Sequence, residues 1–137
     1  MTRSEGKAFF GKPAQLEREI KALRLQVEGL MSTLLPSGIR YDADKVQTSP
    51  RDTMADGFAR IEKKLHFLEK EIVKRQLERA NAIMEISAAL ESLRDDRERL
   101  ALTAYYVGHK SVREIAKDMH YSEETVYLLM HRGIEHL

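Results

Sequence analysis

The chain has no cysteine, which removes disulfides and thiolate metal sites together. No apolar run approaches the roughly 18 residues that a membrane span needs. The opening MTRSEGKAFFGKPA lacks the apolar core of a signal peptide, so the cytoplasm is the expected location. An excess of one charge is missing too. Lysine and arginine number 23 against 22 acidic residues, and a formal net charge of +1 gives no global basic field of the kind that announces nucleic acid. Also missing are a glycine-rich phosphate loop, an HExxH helix and a serine beside a plausible base, so no catalytic residue and no cofactor are expected. His131 and His136 stand five apart, which does not put them on one helix face, and no metal site is expected either.

What remains is helix. Hydrophobic residues make up 42% of the chain and charged ones 33%, enough for a modest core under a heavily charged surface. Leu16, Ile20, Leu23, Val27, Leu30 and Leu34 recur by fours and threes, which predicts an amphipathic helix with a narrow seam. Pro36 and the PSG that it opens end that helix. Residues 36–52 are polar and without period, and read as a loop. A longer helix is expected from near Thr53, with Phe58, Ile61, Leu65, Leu68 and Ile72 in one seam and Ile83, Ile86, Leu90 and Leu93 resuming it. Between the two runs, at Gln76 and Arg79, an extra four-residue step forms a stutter, which locally unwinds a left-handed supercoil. The second helix would be about 60 Å long and the first about 33 Å. The uncovered half of the longer stripe therefore needs either the C-terminal helices or another subunit.

The closing residues change pattern. Asp95 and Asp96 precede RERLALTAYYV, where one aspartate is expected to cap a new helix that Gly108 ends. Ser111 to Glu114, SVRE, fits a capping box, and Val112, Ile115, Ala116 and Met119 give the helix behind it one apolar face. Ser122 caps a further helix carrying Val126 and Leu129. The expected architecture is all-α. A flexible N-terminus over 1–13 leads into a long helical hairpin or coiled-coil arm over 14–93, followed by a C-terminal helix-turn-helix domain over 94–137.

The stretch SVREIAKDMHYSEETVYLLMHRGIEHL resembles the helix-turn-helix of region 4 in bacterial sigma factors. Together with DDRERLALTAYYVGHK and DKVQTSPRDTM, it is similar to small phage-encoded, region 4-like regulators of the RinA and ArpU type. The resemblance implies a DNA-binding transcriptional activator of phage or prophage genes. It further implies that Glu123, Glu124, Tyr127 and Leu128 face base edges and that Arg113, Ser122 and Arg132 reach phosphates. Two departures stand out. His120 occupies a turn position that often holds glycine, and the reading helix starts on two acids. Those glutamates can accept from cytosine N4 or can simply favour the positive end of the helix. From Gly108 to Leu137, five acidic residues outnumber Lys110, Arg113, Lys117 and Arg132 for a formal charge of −1, poor for a monomeric DNA binder.

Three readings stay open. One is a regulator that binds double-stranded DNA as a homodimer joined through its long helices. A second is an interaction module that grips RNA polymerase or another regulator, for which Tyr127 and Leu128 are equally suited. The third is a coiled-coil adaptor. An enzyme, a membrane partner and a complete sigma factor are not expected.

Overall fold

The computed structural model describes residues 1–34 and 51–137, with side chains from 54 onward in the second stretch. Five α-helices follow one another: α1 (Arg3–Thr33), α2 (Arg51–Glu91), α3 (Asp96–Leu102), α4 (Val112–Met119) and α5 (Glu123–Glu135). A π-helical turn, Thr103–Val107, continues α3. The fold is all-α, with no strand among the described residues. The loop expected over 36–52 lies outside the described residues as far as 50, and its last two positions already belong to α2.

The flexible N-terminus expected over 1–13 is corrected: the chain is helical from Arg3. A reciprocal capping box starts the helix, with the Glu5 N–H donating to Thr2 Oγ1 at 3.1 Å and the Thr2 N–H donating to Glu5 Oε2 at 3.2 Å. The helix then runs through Pro13, which cannot donate to the carbonyl of residue 9, an interruption that costs about 3 kcal/mol in an isolated helix. Burial offsets it. Phe10 and Leu16, one on each side of the proline, are 4% and 5% exposed.

The chain divides into two compact units, each threaded by parts of α1 and α2. The unit formed by residues 15–79 is a pair of antiparallel helical segments, as Glu19 with Arg75 (3.3 Å) and Glu17 with Arg79 (3.9 Å) show. Leu16, Ile20 and Leu68 are its buried apolar residues, with Leu23, Ile61, Leu65 and Ile72 half-buried beside them. At the stutter the seam gives way to charge. Gln76 is exposed, and Arg75 also reaches Glu71 one turn back at 2.5 Å. Phe58 is 42% exposed, outside the seam in which its spacing placed it.

The other unit comprises residues 1–14 and 80–137. Its core gathers Phe10 from α1, Ile86, Leu90 and Leu93 from α2 and the turn after it, Ala101 and Leu102 from α3, and the inner faces of α4 and α5. The unit thus adds residues 80–93 and the separate segment 1–14 to 94–137. Ile86 and Leu90 find their cover in the C-terminal helices, whereas Ile83 is 38% exposed and Ala82 is buried in its place. The Phe10 ring stacks on Tyr106 at 4.4 Å between centroids, and burial pushes the Tyr106 phenol above its usual range.

Candidate nucleic-acid interface

Three caps start the helices that carry and support the site. Asp95 accepts from the N–H groups of Arg97 (2.8 Å) and Glu98 (3.4 Å), which starts α3. Those bonds, the Arg97 one foremost, hold the Asp95 carboxyl below its usual range. Ser111 Oγ accepts the Glu114 N–H at 3.2 Å and starts α4, the serine half of the expected capping box. Ser122 does the same for α5, accepting the Thr125 N–H at 3.2 Å.

The sharp turn between α4 and α5 is set by His120 in the left-handed region, with φ 61° and ψ 39°. The Tyr121 N–H bonds to the Ala116 carbonyl (2.9 Å) and the His120 N–H to the Lys117 carbonyl (3.4 Å). This paired arrangement is a Schellman motif, which usually puts glycine where His120 stands. A second residue with positive φ, His109 at 54°, closes the π-helical turn after Gly108. There the Gly108 N–H reaches back five residues to the Thr103 carbonyl at 3.0 Å.

Packing then separates two faces. Val112, Ile115, Ala116, Val126 and Leu129 are buried and Met119 is half-buried, as an inner face requires. Met130 and Ile134 join them at 6% and 5% exposure. Gly133 lets α5 approach α3: a Cβ there would lie 2.6 Å from Leu102 Cδ1. Gly6 does the same for α1, since its Cβ would lie 2.5 Å from Ile134 Cγ2. Beyond the end of α5, His136 Nδ1 donates to Glu98 Oε2 at 2.9 Å and so partners the buried carboxylate of α3.

Every side chain that the resemblance nominated for DNA is exposed. Glu123, Glu124, Tyr127 and Leu128 are exposed on α5, with Tyr127 at 50% and Leu128 at 48%. Arg113 projects from α4 and Arg132 from α5, both exposed, and exposed Ser122 has its hydroxyl engaged with Thr125. Glu124, Leu128, His131 and Glu135 follow at intervals of four, three and four, so they form one outward stripe. The pattern of helix, tight turn and second helix, with a buried inner face and this outer one, is matched in sequence. Residues 83–137 fit the family model described as Sigma-70, region 4. They form a sigma-70 region 4-like helix-turn-helix domain. No curated protein and no solved structure matches the chain.

The region 4-like domain takes part of its core from outside the matched residues. Phe9 and Phe10 pack against it, and Arg3 Nη2 lies 3.1 Å from His131 Nδ1. These N-terminal contacts went unforeseen, although Thr2 and Glu5 carry the spacing of a capping box.

Proposed function

We propose that the protein is a transcription regulator that binds double-stranded DNA through α5 of its region 4-like domain and activates phage or prophage genes, as regulators of the RinA and ArpU type do. The observation that carries this reading is the outer face of α5: side chains suited to base edges stand on the second helix of a region 4-like pair. Glu124 supplies an acceptor for cytosine N4 and Leu128 an apolar surface for a thymine methyl. Arg113 and Arg132 supply phosphate contacts that set the register without reading sequence. The test is titration of duplex DNA, a natural site and its single-base variants, at several salt concentrations. Leu128→Ala should change preference at one or two base pairs by roughly 1 to 3 kcal/mol each, with the salt slope nearly intact. Arg132→Ala should weaken all sequences alike and lower the slope by about one.

Two copies per DNA site complete the reading. A formal charge of −1 over 108–137 favours paired units over a single one, because linked sites raise affinity without new contacts. Val73 and Leu77, one turn apart on α2 and each 63% exposed, offer an apolar strip for a second copy. Light scattering at tens of micromolar, without DNA, should give twice the chain mass, and a strict monomer would remove the dimer.

The half-exposed Tyr127 and Leu128 also suit a protein surface. If Leu128→Ala leaves DNA preference unchanged and abolishes capture of RNA polymerase, α5 docks on protein and that reading replaces the first.

A further inference from the structure

A helix seated in the major groove has a phosphate strand on each side, so it is held best by cations on both of its flanks. Within the helix pair only one flank of α5 is served. Each residue advances about 100° around a helix. On that rule Arg132 lies to one side of the stripe formed by Glu124, Leu128, His131 and Glu135, and Tyr127 and Ile134 lie to the other. The first turn of α1 packs on the Ile134 side, where Gly6 meets the Ile134 side chain. Arg3 is exposed there and reaches the stripe itself, at His131.

The geometry points to Arg3 as a DNA-phosphate contact of the reading unit, delivered by α1 to the flank of α5 opposite Arg132. This rests on the reading of α5 as the DNA-binding helix. An arginine can only donate, so in the 3.1 Å bond His131 Nδ1 is the acceptor and the ring carries its proton on Nε2. That single bond aims the guanidinium and leaves most of its five N–H donors unused. Among the described residues neither Arg3 nor Arg132 forms an ion pair. Glu135 shares a shallow depression with Arg3, His131 and Ile134, while the nearer acid along α1, Glu5, is engaged with the Thr2 N–H. The same segment also shifts the charge balance. Arg3, Lys7 and Lys12 against Glu5 add +2 to a unit whose helix pair carries −1. Residues 80–107 carry −2, so the whole unit remains at −1, and docking α1 supplies a local cation beside α5 rather than a net basic field.

Three full-length variants test the assignment, with urea melts run beside the DNA titrations. Arg3→Gln keeps an N–H donor for His131 and removes the charge. It should bind every sequence about tenfold more weakly at physiological salt, the size of one lost charge-assisted contact. The slope of log K against log salt should fall by about one, with the melt unchanged. Arg3→Ala should behave like Arg3→Gln, and Arg3→Lys should restore the slope. If Arg3→Gln binds as the unaltered chain does, or if only Arg3→Ala loses affinity and does so together with stability, Arg3 merely positions α1 and the inference is wrong. If the unaltered chain binds no duplex DNA, the reading of α5 falls and takes this inference with it, an outcome distinct from normal binding that ignores Arg3.

Discussion

Replacing Phe10 by alanine should unfold the region 4-like unit under mild conditions, although Phe10 lies more than 70 residues before the first residue of the matched segment. Its ring is 4% exposed, stacks on Tyr106 at 14° between planes, and meets Phe9 edge-on at 5.1 Å. Truncating a buried phenylalanine to alanine costs about 3 to 5 kcal/mol, of which the aromatic pair accounts for about 0.5 to 1.5. A unit of some 70 residues is stable by about 4 to 10 kcal/mol, so most of its margin would be lost. The chain has no tryptophan, and urea unfolding can be followed through its tyrosines, of which Tyr105 and Tyr106 lie nearest the lesion. The midpoint should fall by an amount equivalent to 3 kcal/mol or more, and trypsin should begin to cut after Arg3 and Lys7. Phe10→Leu should cost less than about 1.5 to 2 kcal/mol, because most of the volume is kept. A loss below 1 kcal/mol for the alanine variant, with the N-terminus still protected, would show that α1 contributes nothing to this core.

Three further substitutions probe the turns and crossings. His120→Gly should stabilise the protein by about 0.5 to 1 kcal/mol in urea, because relief of left-handed strain, about 1 to 2 kcal/mol, exceeds the extra backbone entropy of glycine; destabilisation would contradict the strain. Gly133→Ala should destabilise by about 1 to 3 kcal/mol, since its methyl must displace Leu102 in a core with no slack. Asp95→Asn should keep the cap and remove a pH dependence. The folded carboxyl lies below its unfolded value near 3.8, so its stabilisation is complete above that value and is lost as pH falls through the folded one. Melting temperatures of the two proteins should therefore converge below about pH 4, and parallel curves across pH 2 to 6 would refute the linkage.

The caps were legible because each needs only a side-chain oxygen and a spacing. Ser111 and Ser122 start the helices they were expected to start, and of the pair Asp95 and Asp96, from which one cap was expected, Asp95 is the one that serves. The inner face of the helix pair was legible for the same local reason, since Val112, Ile115, Val126 and Leu129 fall on one side by helical period alone. The N-terminus was harder to read. Pro13 argues locally against a helix, and only Phe10 packed on Tyr106, about 100 residues away, reverses that argument. Ile83 and Ala82 fail differently. Past the stutter the inner face of α2 is decided by what packs there, and a small alanine suits the site better than the more hydrophobic isoleucine beside it. Arg3 was invisible because nothing in its local sequence marks the helix that it reaches.

The division of the chain between its units has a consequence for the order of synthesis. Residues 1–14 leave the ribosome well before α5 and must wait for it before their apolar side has a partner, with residues 15–79 made in between. Closing a flexible segment of that length would cost about 3 to 4 kcal/mol. An antiparallel helix pair avoids that loss by returning the chain to its starting point, and the ion pair of Glu17 with Arg79 fastens the place where it returns. The hairpin is then an insertion inside a domain rather than a stalk in front of one. It should be exchangeable for any other hairpin whose ends lie equally close, whereas cutting the chain after residue 14 would sever the domain from its own first helix.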